Sequence, residues 1–391
     1  MDLFNPTDEH LLVREAVRKF AEEKLDPQAL EFDRDEKFNL PLFKELGGLG
    51  ILGLTAEEKW GGGGMDAVGA VIVHEELSAS DPGFCLSYLA HSMLFVNNLA
   101  FNANDEQKAK YLPKVCSGEW IGGMCMSEPN AGTDVLGLKT SARQVEGGFV
   151  LNGAKMWITN GALDDDTLGD VFLVYARLEG AHKKELSMFI VEKGDPGFAL
   201  GQRIKEKLGM RASGTAELVF TDCFVGHDRL VGNVGDAMLH MMQNLEIERL
   251  TLAAMSLGIA RRCIEIMNNY ASERLSFGKP LRSYGQIQAY IADSYASYMA
   301  GRSYVYHIAS QLKLDDHGNR IESDGVKLYC ARMAKEVADR AIQVLGGYGY
   351  VGEYNVERLW RDARLLEIGG GTNEAHQKNM TRDLAQMKKL K

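Results

Sequence analysis

The spacing of apolar residues changes twice along this chain, and that change limits its fold more than any single motif. Residues 7 to about 120 read as helices. Thr7 followed by Asp8 and Glu9 makes a helix start, and Leu11, Leu12, Val13, Ala16, Val17 and Phe20 supply an apolar face at helical spacing. Gly61-Gly62-Gly63-Gly64 interrupts the pattern before a second run, Ala67 to Leu77, and Asp81-Pro82-Gly83 reads as a turn. From about 121 to 235 the period falls to two. Phe149 to Leu151, Lys155 to Thr159, Val171 to Tyr175, Leu186 to Val191 and Glu217 to Phe220 are strand candidates, punctuated by Asn152-Gly153, Asn160-Gly161 and Pro196-Gly197. Strands this short suggest a small sandwich or barrel rather than a parallel sheet. From about 236 the helical period returns in long runs: Ala237 to Ser276, Gln286 to Leu314 and Ser323 to Leu345. The expected organisation is a helical domain over 1–120, a β domain over 121–235 and a helical bundle over 236–391.

Composition narrows the function. The chain has 391 residues, long enough to bury a sizeable core without disulfides or structural metals. Its formal net charge of -10 argues against a nucleic-acid partner, which needs a basic stripe. The six cysteines form no C-x-x-C and no zinc spacing, so they read as reduced, buried thiols. The start, Met1-Asp2-Leu3-Phe4-Asn5-Pro6, has no basic stretch leading into an apolar one, and Asp8, Glu9 and Glu15 speak against a transit peptide. No apolar run approaches the ~18 residues of a membrane span. The expected setting is a bacterial cytoplasm or, for a processed chain, the mitochondrial matrix.

Four stretches carry chemistry, and each also has an ordinary structural explanation. Met126-Ser127-Glu128-Pro129-Asn130-Ala131-Gly132-Thr133-Asp134 exposes backbone N–H groups and hydroxyls suited to a polar cofactor, or is a plain surface loop. Trp157-Ile158-Thr159-Asn160-Gly161 offers an aromatic face to a flat ligand, or a core tryptophan. Leu345-Gly346-Gly347-Tyr348-Gly349-Tyr350 lets backbone approach a ligand closely, or simply ends a helix. It lacks the strand-before, helix-after context of a dinucleotide fingerprint. In Leu245-Glu246-Ile247-Glu248-Arg249-Leu250, at the head of an apolar helix, the two glutamates cannot share a face. Leu245, Leu252 and Met255 lie near the face of Glu248, and burial there would raise its pKa toward that of a general base. A surface glutamate favoured by the helix dipole is the competing reading.

Together, Met124-Cys125-Met126-Ser127-Glu128-Pro129, Trp157 to Gly161, Glu273-Arg274-Leu275-Ser276-Phe277-Gly278-Lys279-Pro280, Gln343 to Gly349 and Arg361-Asp362-Ala363-Arg364 resemble the acyl-CoA dehydrogenase family from about residue 7 to 385. The resemblance implies that family's fold, mainly α with a β module: an N-terminal helical domain, a central β-barrel or sandwich and a C-terminal four-helix bundle. It implies FAD, an acyl-CoA substrate, an electron-transferring flavoprotein as electron acceptor and a homotetramer. The base of most members falls here on Gly370, within Ile368-Gly369-Gly370-Gly371-Thr372. In the isovaleryl-CoA branch the base instead sits in a Leu-Glu-Arg context that matches Ile247-Glu248-Arg249, which transfers the role to Glu248. Leu86 to Ser92 and Phe189 to Gly194 are also similar to that branch.

Carried over by resemblance, Met124, Met126, Ser127 and Thr133 line the flavin, with Thr133 also near the CoA. Trp157 and Thr159 pack beside the isoalloxazine. Arg274 and Phe277, with Gln343, Gly346 and Gly347, hold adenine and pyrophosphate across a subunit interface, and Thr372 and Glu374 complete the flavin contacts. Glu246 and Arg249 follow the pantetheine and acyl path; Leu89, Gly370 and Gly371 border the acyl group. The Gly370 N–H and a ribityl hydroxyl polarise the thioester. The family's usual FAD-contacting glutamine falls on Gly285, so Gln286 is its nearest substitute. Tyr348 replaces the asparagine common between the glycines. Leu89 stands for the branch's glycine and Gly370 for its alanine, so the acyl pocket departs from that branch. Rival readings on the same fold are an acyl-CoA oxidase, a flavin monooxygenase and, more remotely, a DNA-binding flavoprotein.

Overall fold

The computed structural model describes residues 2–182 and 185–387; Met1 and 388–391, the outer ends of the expected first and third domains, lie outside the described residues. Helix α1 (Asp8–Phe20) is capped by Thr7, whose hydroxyl accepts from the His10 N–H. A π-helical turn, Ala21–Leu25, carries it into α2 (Asp26–Asp35), and α3 (Leu40–Gly48) follows an Asn39 cap. Every residue of α4 (Ala67–Ser80) is buried, as befits a helix apolar nearly all round. Asp81 does not reverse the chain. Its side chain accepts from the Phe84 N–H at 3.0 Å and caps α5 (Pro82–Leu89), so Pro82 and Gly83 are the first residues of a helix. Proline suits that position because its missing N–H would have had no partner there.

Helix α5 runs through π-helical Ala90–Asn97 into α6 (Asn98–Asn102), and α7 (Asp105–Cys116) starts from a capping box of Asn104 and Gln107. The continuous stretch Pro82–Asn102 is, by length and composition, apolar enough to cross a membrane, which corrects the expectation that no run comes close. Of its most apolar window 78% is buried inside the protein, so its apolar faces serve the core.

Among the described residues the β segment is one eight-stranded sheet: β1 (Gly122–Cys125), β2 (Ser141–Val145), β3 (Gly148–Thr159), β4 (Val171–Leu178), β5 (Leu186–Glu192), β6 (Phe198–Arg203), β7 (Thr215–Gly226) and β8 (Leu230–Val231). The order is β6-β7-β3-β2-β4-β5-β8, with β1 paired to β4. Phe149, Phe172, Phe189, Phe198 and Phe220 fill its own core. Asn152-Gly153, expected to be a turn, lies inside β3, where the pairing with β7 shifts register between Leu151 and Gly153. The glycine is needed for packing: a Cβ there would sit 2.6 Å from Thr140 Oγ1.

After α8 (Ala237–Glu273) come a short hairpin of β9 (Leu275–Ser276) and β10 (Lys279–Pro280), then α9 (Gly285–Ala309), α10 (Arg320–Leu345), α11 (Val356–Leu366) and α12 (Asn373–Leu384). The first and third segments share one apolar core, running from Val17 and Phe43 through Val71 to Leu257 and Leu359. Helices α4 and α8 touch at Gly258, where a Cβ would lie 2.1 Å from Ser78 Oγ. Asp362 accepts from the Met210 N–H at 2.5 Å, and Arg361 pairs with Asp33 at 2.7 Å. That arginine–aspartate motif is thus a structural clasp between α11, α2 and the loop after β6.

Candidate active site

Glu248 lies well inside α8 rather than at its head, which removes the dipole explanation. Its side chain is buried, and Oε2 has no hydrogen-bond partner among the described residues. Burial pushes its carboxyl up to about 7, with the Arg249 and Lys327 charges offsetting part of the effect. A Cβ placed on Gly370 would lie 3.4 Å from Glu248 Oε1. Positions 248 and 370, far apart in sequence, therefore meet at one point. Gly370 has φ +63° and Gly371 φ +103°, and a side chain at 370 would collide with Leu252, one helical turn beyond Glu248.

Glu246 and Arg249 are committed to neighbours. The Glu246 carboxylate accepts from the Gly318 and Asn319 N–H groups at 3.0 and 2.8 Å, anchoring the chain that enters α10. Arg249 pairs with buried Asp324 at 2.9 Å. Leu89 is buried at the end of α5.

Met124 on β1 is linked toward Glu248 through polar groups. Asn98 Nδ2 donates to Tyr175 Oη at 3.2 Å and lies 3.9 Å from Met124 Sδ, and the Glu248 charge helps raise the Tyr175 hydroxyl after burial has done most of it. Met126 and Ser127 are fastened to β3: Lys155 Nζ donates to Met126 O at 3.1 Å and the Met156 N–H to Ser127 O at 2.9 Å. The next residue, Trp157, is 61% exposed at φ +65°, so it is no core tryptophan. Thr159 ends the same strand half-buried, and Thr133 is exposed on the loop beyond Glu128. Thr372 caps α12 by accepting from the Ala375 N–H, with Glu374 exposed in the first turn.

The remaining candidates gather elsewhere. Arg274, Leu275, Ser276, Gly346, Gly347 and Tyr348 line a cleft of about 480 Å³. The Arg274 guanidinium stands 5.8 Å from the Tyr348 ring centre. A Cβ on Gly346 or Gly347 would meet nothing within 4 Å, so the backbone there is open to a ligand. Phe277 is 95% exposed at φ +47°; Gln343 and Gln286 are exposed at the end of α10 and the start of α9. An exposed indole beside a pinned loop, together with a cationic, glycine-floored cleft, suits a long cofactor with a flat ring and a diphosphate.

Three buried groups escaped the reading of the sequence: Asp324 and Lys327 on α10 and His376 on α12. At helical spacing among polar neighbours they resemble a solvated face. The available signal was Val326, Cys330 and Ala331, which place apolar residues on both sides of Lys327.

Three family models cover nearly the whole chain: acyl-CoA dehydrogenase N-terminal, middle and C-terminal domains match residues 7–119, 123–223 and 238–385. A mitochondrial isovaleryl-CoA dehydrogenase of Oryza sativa subsp. japonica is 42% identical over 387 residues, 98% of this chain and 92% of the relative. Butyryl-CoA dehydrogenase of Megasphaera elsdenii superposes with a TM-score of 0.92 at 33% identity, over 98% of this chain and all of that one. A glutaryl-CoA dehydrogenase of Mycobacterium smegmatis, solved in complex with FADH2, superposes with a TM-score of 0.90 at 28% identity, covering 98% and 96%.

Proposed function

The chain belongs to the acyl-CoA dehydrogenase family, and we propose on that premise that it converts a short or branched acyl-CoA, isovaleryl-CoA-like, to the trans-2-enoyl-CoA with Glu248 as base. The observation that carries the reading is the buried Glu248 carboxylate facing Gly370, with Oε2 unpartnered among the described residues and its pKa near neutrality. Glu248 takes the α proton of the thioester. The Gly370 N–H donates to the carbonyl oxygen, where negative charge develops as that proton leaves. Bound FAD supplies the acceptor for the β hydride.

Met124, Met126, Ser127, Trp157 and Thr159 hold the ring end of FAD in this reading, with Thr133, Thr372 and Glu374 beside it. Arg274, Phe277, Gln286, Gln343, Gly346 and Gly347 hold the nucleotide end. Exposed Phe277, Leu275 and Tyr350 around the cleft favour its completion by a second subunit of a homotetramer. An electron-transferring flavoprotein is the proposed acceptor of the electrons.

Anaerobic bleaching of the bound flavin by straight, branched and cyclic acyl-CoA esters tests the proposal. Fast bleaching by small branched esters is expected. Flavin that no ester reduces would remove the dehydrogenase reading while leaving the fold intact.

A further inference from the structure

The Gly369–Gly371 segment is tied at its ends by backbone bonds: the Gly369 N–H donates to Leu365 O at 2.8 Å and the Asn373 N–H to Glu367 O at 3.1 Å. Its two left-handed glycines have no side chains to fix the middle. That role falls to a fully buried lysine. Lys327 Nζ donates to Gly371 O at 2.7 Å, to a carbonyl rather than a carboxylate. A different buried lysine, Lys155, shows the ordinary solution, pairing with Glu128 at 2.9 Å.

One turn earlier on α10, Asp324 Oδ1 accepts from Arg249 Nη1 at 2.9 Å and lies 2.6 Å from His376 Nδ1. The His376 ring in turn underlies Gly371, whose added Cβ would lie 3.0 Å from His376 Cε1. Helix α10 thereby couples α8, which carries Glu248, to the loop that carries the Gly370 N–H.

We infer that Lys327 is a positioning residue for the reaction: by holding the Gly371 carbonyl it fixes the Gly371–Thr372 peptide, and with it the glycine loop that carries the Gly370 N–H, and it presents its positive charge to Glu248. The inference rests on Glu248 being the base. Groups facing Glu248 are Arg249 on its own helix, Lys327 on α10 and Tyr175 on β4, while Asp324 on α10 and His376 on α12 act on Lys327. Glu367, at the end of α11, also favours the charged form of Lys327. Burial holds Lys327 down to about 7, opposed chiefly by the Glu248 charge, so each of the pair favours the ionised form of the other.

Losing the cation disfavours the Glu248 carboxylate, so its titration moves to higher pH. In FAD-loaded Lys327→Met the acid limb of flavin reduction by a saturating acyl-CoA is expected to rise by about one pH unit, roughly a tenfold loss of rate below the limb. Lys327→Arg, which keeps the charge, restores the limb. The infrared carboxyl band of Glu248, identified by its absence in Glu248→Gln, gives the same titration without turnover. Lys327→Gln serves if the methionine variant does not fold. A folded, flavin-replete Lys327→Met or Lys327→Gln with an unmoved Glu248 titration overturns the inference. If instead Glu248→Gln still reduces the flavin, it is the base assignment that fails.

Discussion

Two sites on the packed helices α4 and α8 bury glutamates, with opposite results. Glu75 and Glu76 lie on α4 amid Arg14, Arg18, Arg261 and Arg302. Glu75 also accepts from Tyr306 and Tyr298 hydroxyls at 2.5 and 3.1 Å. Burial pushes Glu76 up, but Arg261, Arg18 and Arg14 outweigh it and hold the carboxyl at about 2; Glu75 is lowered for the same reason, with Arg302 foremost. Glu248 on α8 suffers comparable burial with far less compensation and keeps one oxygen unpartnered. Desolvation alone therefore does not decide whether a buried glutamate stays ionised. The number and reach of the cations do.

The comparison breaks first at Glu76. Glu76→Ala strips the carboxylate partner from Arg261 and Arg18 and one of the two from Arg14, and is expected to cost about 3–5 kcal/mol in urea unfolding of the holoprotein. The rate of flavin reduction per folded molecule is expected to hold. A rate loss as large as the stability loss would mean that this network is not purely structural.

Glu248→Gln should do the reverse to stability. A folded pKa near 7, against an unfolded value near 4.5, means that ionisation opposes folding as pH rises through that window. The glutamine variant is therefore expected to gain up to roughly 3 kcal/mol over the parent at pH 8 and little at pH 5. Glu76 has the opposite sign: its stabilisation is present above pH 4.5 and is lost as pH falls toward 2. Parallel melts of the parent and both variants across pH 2–8 check the two slopes.

Smaller effects sharpen the catalytic side. Gly370→Ala forces a side chain into a left-handed backbone and moves Leu252, at an expected cost of about 1–2 kcal/mol. The same variant should slow flavin reduction by crowding Glu248 Oε1. Leu89→Ala is expected to shift the ratio of branched to straight ester reduction by about 1 kcal/mol, read from the bleaching rates.

Much of this was legible in the residues because period and position are local properties. The helix–strand–helix division followed from apolar spacing, and the proposal of Glu248 from the resemblance to a family whose usual base position holds Gly370 here. What stayed hidden depends on partners distant in sequence. Asp81-Pro82-Gly83 looks like a turn until Asp81 is seen to cap α5, and Asn152-Gly153 until β7 is seen to run past it. Trp157 reads as core until its left-handed backbone turns it outward. Lys327, Asp324 and His376 read as surface charges until α8 and the Gly370 loop close over them.

The decisive measurement is the rate at which isovaleryl-CoA reduces the flavin of fully FAD-loaded Glu248→Gln, beside the parent. With Glu248 as the base, the variant keeps its FAD and loses at least about a thousandfold in rate. Retention of most of the rate would contradict it and require another group to take the α proton.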